Sequence, residues 1–182
     1  MQIVRDITTI VAPSAILVTL ADAKNYLKVD YSEDDALIQS LIDSAIKRLE
    51  QYAGSAFSPR TLKVVAYVDF FIEPPYAPIN SITKVEYYSD NAWVEAVLDS
   101  DYYILGDTYK KVYMVTAPQR EYRFTYTCGF TTLPQSIYNA ILKLVADLYD
   151  YRASESPNDK LNELQMTAYE LVQPFKRINY FI

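Results

Sequence analysis

The chain has 182 residues, of which 51% are hydrophobic and 22% charged, the balance of an ordinary folded protein, and its net charge of −6, with 17 scattered Lys and Arg, excludes a sequence-independent nucleic-acid binder, which needs a clustered basic surface. It contains no histidine, which removes the usual general base and the commonest metal ligand, and its single cysteine, Cys128, cannot close an internal disulfide. No apolar run is long enough to span a membrane, and Met1–Asp6 lacks the basic-then-apolar layout of a secretory leader, so a cytoplasmic setting is expected.

Residues 1–18 mix β-branched side chains with Pro13 and read as an extended N-terminal arm. Thr19 is the cap of a short helix expected over 20–28. A long helix is expected over 33–53. Ser32 is its N-cap, Asp35 makes a capping-box variant, and Glu33, Asp34 and Asp35 favour the positive end of the helix dipole. Ile38, Leu41, Ile42, Ala45, Ile46, Leu49 and Ala53 then form one apolar stripe, and Gly54 stands at C′.

From 61 to 130 the pattern changes to strands. Thr61–Ile72 reads as one long strand, ended by Pro74-Pro75-Tyr76-Ala77-Pro78. Ser81–Tyr88 and Trp93–Leu98 flank a hairpin turn at Ser89-Asp90-Asn91-Ala92. Tyr102–Leu105, Lys111–Thr116 and Arg120–Thr127 complete an antiparallel meander. Pro134 opens a helix expected to run to 151 on the stripe Ile137, Ile141, Leu144, Val145, Leu148 and Tyr149. A last helix is expected over 160–172, stopped by Pro174, before an apolar and aromatic tail at 175–182. The expected class is α+β: N- and C-terminal helices packed as a small bundle, with the β-meander inserted between them. The expected organisation is an arm (1–18), a main domain (19–174) and a C-terminal tail (175–182).

Few residues promise chemistry. Ser44-Ala45-Ile46-Lys47 and Ser81-Ile82-Thr83-Lys84 both fit Ser-x-x-Lys, but the companion motifs of that catalytic class are missing. With no histidine nearby, Cys128 reads as a small buried thiol. Asp147 with Asp150, and Asp99 with Asp101, fall short of the oxygens that a dedicated cation site supplies. Three glycines cannot build a phosphate-cradling loop. The expectation is therefore no catalytic residue, no metal and no cofactor. The 18 tyrosines supply rigid amphipathic area suited either to interfaces or to a half-exposed sheet.

Several segments in order resemble the head-tail connector (adaptor, or head-completion) family of tailed bacteriophages. These are Thr19–Lys28, Asp34 through Ala45 to Gly54, Pro78–Val85, Asp101-Tyr102-Tyr103, Tyr126-Thr127-Cys128-Gly129-Phe130 before Leu133-Pro134, Leu148–Arg152 and Leu171–Arg177. Phe130 stands where a tyrosine is commoner in that family. The resemblance implies a non-enzymatic subunit of a homo-oligomeric ring, typically a dodecamer, bound beneath the portal protein. Such a ring extends the channel through which double-stranded DNA passes without sequence-specific binding, and it offers a platform to a neck stopper or tail protein. It implies a place in the virion neck after assembly in the host cytoplasm, with no membrane.

On that reading Phe175, Lys176, Arg177, Ile178, Tyr180, Phe181 and Ile182 are expected to dock on the portal or on a neighbouring subunit, since an apolar chain end would otherwise fray; the alternative is that the tail folds back on its own core. Asp43, Lys47, Arg48 and Glu50 on the long helix are expected to pair between subunits. The competing reading is a carbohydrate-type ligand-binding module that stacks sugars on tyrosines and Trp93 of the sheet.

Overall fold

The computed structural model describes residues 2–13, 15–115, 119–150 and 167–177. The chain forms two compact units, Met1–Ser14 with Ser58–Thr131, and Ala15–Phe57 with Thr132–Ile182. The first is a β unit. Its strands are β1 (Gln2–Val11), β2 (Arg60–Val68), β3 (Phe71–Ile72), β4 (Ile79–Ser89), β5 (Ala92–Glu95), β6 (Tyr102–Leu105), β7 (Lys111–Met114) and β8 (Arg120–Cys128).

All pairings are antiparallel, and helix and sheet are both present, as the α+β reading requires. The strand order is not that of a simple meander. One sheet runs β1-β2-β8-β4-β5 and the other β3-β7-β6. β8 takes the centre of the larger sheet because Tyr122, Phe124, Tyr126 and Cys128 alternate onto one face and are each at most 2% exposed. Leu62, Val64, Ala66 and Val68 of β2 are buried on the same face. Tyr126 is accommodated there because its hydroxyl donates to the Pro75 carbonyl at 2.6 Å, and burial pushes the phenol of Tyr122 up to about 12.

Two expectations about this unit change, and a third, the hairpin, is met. The arm is extended, but Gln2–Val11 pairs along β2 as an edge strand of the sheet. The single strand expected over Thr61–Ile72 breaks at Asp69-Phe70, so that its two parts join different sheets. The hairpin at Ser89–Ala92 is a two-residue turn, with Asp90 and Asn91 at φ +51° and +62°. That pair of left-handed residues matches the twist of the flanking strands.

The second unit is helical: α1 (Leu20–Leu27), α2 (Asp35–Ala53), α3 (Gln135–Asp150) and α4, described over 167–172, followed by a 3₁₀ turn at Gln173–Phe175. The part of the last expected helix at 160–166 lies outside the described residues. Thr19 caps α1 through a full capping box with Asp22. The long helix starts two residues later than Ser32 would place it, with Asp34 at the N-cap. The acids there are already engaged: Tyr149 donates its hydroxyl to Asp34, and Lys24 reaches Asp35 at 2.5 Å. Gly54 ends α2 in the left-handed region at φ +61°, its N–H donating to the Glu50 carbonyl. α1, α2 and α3 pack on one another. Their contact is the expected stripe, with Ile38, Ile42, Leu49, Ile137, Ile141 and Leu144 at most 1% exposed, each contributing about 1.5–3 kcal/mol of burial.

One core-facing acid opposes this packing. Asp147 of α3 is 7% exposed, and its Oδ2 has no hydrogen-bond partner among the described residues. Burial raises its pKa, against a smaller pull from Lys143, while Asp150 adds to the rise. A raised native value means that the cost of the charge is complete above that value and disappears below the unfolded one. Stability should therefore grow as pH falls from neutral into the carboxylate range. Asp147→Asn should stabilise the protein by about 1 kcal/mol at pH 7 and flatten that dependence, read by denaturant midpoints at pH 7 and pH 4.5. A less stable Asn variant at pH 7 would refute the account.

Candidate docking surfaces

The first part of the expected docking tail is tied to its own helical unit. Phe175 offers its carbonyl to Ser55 Oγ at 2.8 Å, and the Arg177 N–H donates to the Ala53 carbonyl at 2.7 Å. Lys176 holds its Nζ 4.3 Å from the centroid of the Tyr52 ring. Tyr52 also donates its hydroxyl to Gln173 Oε1 at 2.6 Å and packs on Tyr169 with centroids 4.7 Å apart. Ile178, Tyr180, Phe181 and Ile182 lie outside the described residues.

The four charges assigned to subunit contacts separate into two groups. Asp43, Lys47 and Arg48 are exposed on α2, where Asp43 accepts from Gln39 at 3.2 Å and neither cation has an ion-pair partner among the described residues. Glu50 has to be removed from the set. It is 7% exposed, and its carboxylate accepts the buried N–H of Phe57 at 2.7 Å, satisfying a backbone group of the turn after α2.

The β unit presents two aromatic clusters. On the outer face of the small sheet, Phe71, Tyr113 and Tyr103 lie directly across the three strands. Tyr103 and Tyr113 stack at 5.1 Å and 3°, Phe71 lies 5.5 Å from Tyr113, and Lys111 pairs with Glu73 at 2.6 Å beside them. On the larger sheet Glu86 receives Arg123 through two contacts of 2.7 and 2.6 Å and Lys84 at 3.0 Å. The Arg123 guanidinium sits 4.6 Å from the Trp93 ring, and Tyr88 meets the same indole edge-on at 5.3 Å.

The catalytic lookalikes have ordinary surroundings. Ser44 donates to the Ser40 carbonyl one turn back, Ser81 bonds Thr127 across the strands at 2.8 Å, and Cys128 is fully buried. Asp99 and Asp101 serve their own turn, in which Asp101 Oδ2 accepts the Val97 N–H.

Residues 17–179 match the family described as Phage gp6-like head-tail connector protein. The chain belongs to that family. No curated protein sequence matches it. Solved chains share the connector's fold at low identity. One comes from a structure described as "Neck of empty GTA particle computed with C6 symmetry", with TM-score 0.72 and 17% identity over 97% of this chain and 98% of that one. A second, from "Virion of native gene transfer agent (GTA) particle", has TM-score 0.75 and 15% identity over 96% and 97%. A third, from "Neck of native GTA particle computed with C12 symmetry", has TM-score 0.71 and 15% identity over 97% and 98%.

The connector's Tyr-x-x-Gly-aromatic junction has a physical basis here. Gly129 donates its N–H to the Pro78 carbonyl at 2.9 Å, and its own carbonyl accepts from Asn80 Nδ2 at 3.0 Å. Sequence reasoning missed the Glu86–Arg123–Trp93 cluster, whose members lie on three strands. The one available signal was that Glu86 and Arg123 stand mid-strand among apolar and aromatic neighbours.

Proposed function

We propose that this connector is a non-enzymatic subunit of a homo-oligomeric ring in the virion neck, bound beneath the portal protein, where it extends the DNA channel and carries the neck stopper or tail. The observation that carries this reading is family membership over nearly the whole chain. The similar neck structures with sixfold and twelvefold symmetry support a ring. An acidic chain suits a channel wall, because it lets DNA pass without holding it. The exposed Asp43, Lys47 and Arg48 are the charges proposed for the seam between subunits, and residues 178–182 are the part of the tail proposed to dock on the portal. Assembly takes place in the host cytoplasm before head and tail join. The carbohydrate-type reading is less favoured, since Arg123 lies over one face of Trp93 and Tyr103 stacks on Tyr113.

Electron microscopy and native mass spectrometry of the chain, alone and with portal, test this. A ring on the portal is expected. Lys47→Glu with Arg48→Glu should break the ring without unfolding the subunit, and a chain ending at Arg177 should stay folded but fail to join heads to tails. A strict monomer in the presence of portal overturns the reading.

A further inference from the structure

We propose that Tyr52 and the segment 169–177 form a latch that fixes where and in which direction the C-terminal tail leaves the helical unit, with Tyr52 as its positioning residue. This inference rests on the docking reading of residues 178–182.

The latch begins with a deficit in α2. The last carbonyls of any helix have no partner inside it, and Gly54 turns the chain away in the left-handed conformation. The Ala53 carbonyl is met by the Arg177 N–H, which belongs to a segment more than a hundred residues away in sequence. A Cβ built at Gly54 would lie 3.5 Å from the Arg177 Cβ, an ordinary contact, so the glycine is needed there for its positive φ and not for space. Ser55 then fixes the Phe175 carbonyl, so two backbone groups two residues apart are held by the turn that follows α2.

Tyr52, one turn further back, adds three contacts to three different residues: the hydrogen bond to Gln173, the ring contact with Tyr169, and the Lys176 ammonium over its face. Pro174 ends the α-helical run inside this segment, and Lys176 is extended at φ −68° and ψ 123°. The chain therefore leaves the 3₁₀ turn through one extended residue and reaches Arg177 with its backbone and side chains held by the end of α2. A tail that must engage a partner from a ring gains from this, because anchoring its root removes conformational freedom that docking would otherwise have to freeze. A merely structural cap would need the Arg177 and Ser55 contacts only. The three contacts of Tyr52 fall on the side chains of the segment and on its cation.

The latch contains its own probe, since trypsin cuts after Lys176 and Arg177. In the full-length chain, Tyr52→Ala removes all three side-chain contacts while keeping a strong helix former in α2. Cleavage at Lys176–Arg177 should then quicken about ten-fold, with cleavage after the exposed Lys28, outside α2, unchanged. Affinity for portal should fall by a similar factor. Tyr52→Phe loses one hydrogen bond and keeps the ring, so both readouts should move by about five-fold or less. An unchanged cleavage rate in Tyr52→Ala overturns the latch. Faster cleavage with unchanged portal affinity overturns the positioning role. A chain ending at Arg177 separates the two ideas: if it binds portal as well as the full chain, the docking reading fails, whatever the cleavage rates of the Tyr52 variants.

Discussion

Gly129→Ala should destabilise the β unit by about 4 kcal/mol, the sum of a strained backbone and an overpacked site. Gly129 has φ +111°, a conformation that side-chain-bearing residues rarely adopt. A Cβ there would lie 2.2 Å from the Ser58 carbonyl oxygen, 2.5 Å from its carbon and 2.9 Å from the Pro59 nitrogen. All three are backbone atoms of the two residues just before β2, so no side chain can swing aside. The local hydrogen bonds make relaxation costly as well, because moving Gly129 pulls on Pro78 and Asn80 together. Thermal unfolding should show the midpoint lowered by roughly 10 °C or more. Gly54→Ala is the comparison that isolates the clash. It shares the positive φ but meets only the Arg177 Cβ at 3.5 Å, and should cost about 1 kcal/mol. Equal effects at the two positions would show that backbone conformation alone makes Gly129 necessary.

The helical unit was legible in the sequence because its determinants are local. The cap Thr19, the apolar stripe of α2 and the glycine after Ala53 each act within one or two turns, and each appears in place. The sheet was less legible because pairing is set across long stretches of chain. Nothing near Arg120 announces that its strand will insert between β2 and β4. That choice follows from Tyr122, Phe124 and Tyr126 needing burial with both backbone edges satisfied. The arm became a strand for a related reason, since β2 had an open edge and the β-branched residues of Gln2–Val11 suit it. Glu50 shows the limit for single side chains. It sits beside Leu49 on the flank of the helical stripe, where sequence gives an exposed charge. The turn after Gly54 folds back and hands it the Phe57 N–H.

Arg123→Met should cost about 3 kcal/mol at pH 7, chiefly because it strands Glu86 rather than because it removes an attraction. The Glu86 side chain is 7% exposed and that of Arg123 26%, so the pair is largely withdrawn from water. Lys84 remains within reach of Glu86, but its side chain is 43% exposed and reaches only one oxygen. The hydrogen bonds from Arg123, followed by those from Lys84, outweigh burial and hold the Glu86 carboxyl below its usual range. For a carboxyl depressed in the native state, the stabilisation is complete above the unfolded value and is lost as pH falls through the native one. The gap between parent and Arg123→Met should therefore be full at pH 7 and narrow steadily below about pH 4. The variant also uncovers one face of Trp93, so its fluorescence should report the change independently. The decisive comparison is Arg123→Met combined with Glu86→Leu. With the charge gone on both sides and volume kept, stability should return to within about 1 kcal/mol of the parent. If the double variant is as unstable as the single one, the cluster's value lies in attraction and in the stacking on Trp93, not in sparing a buried carboxylate.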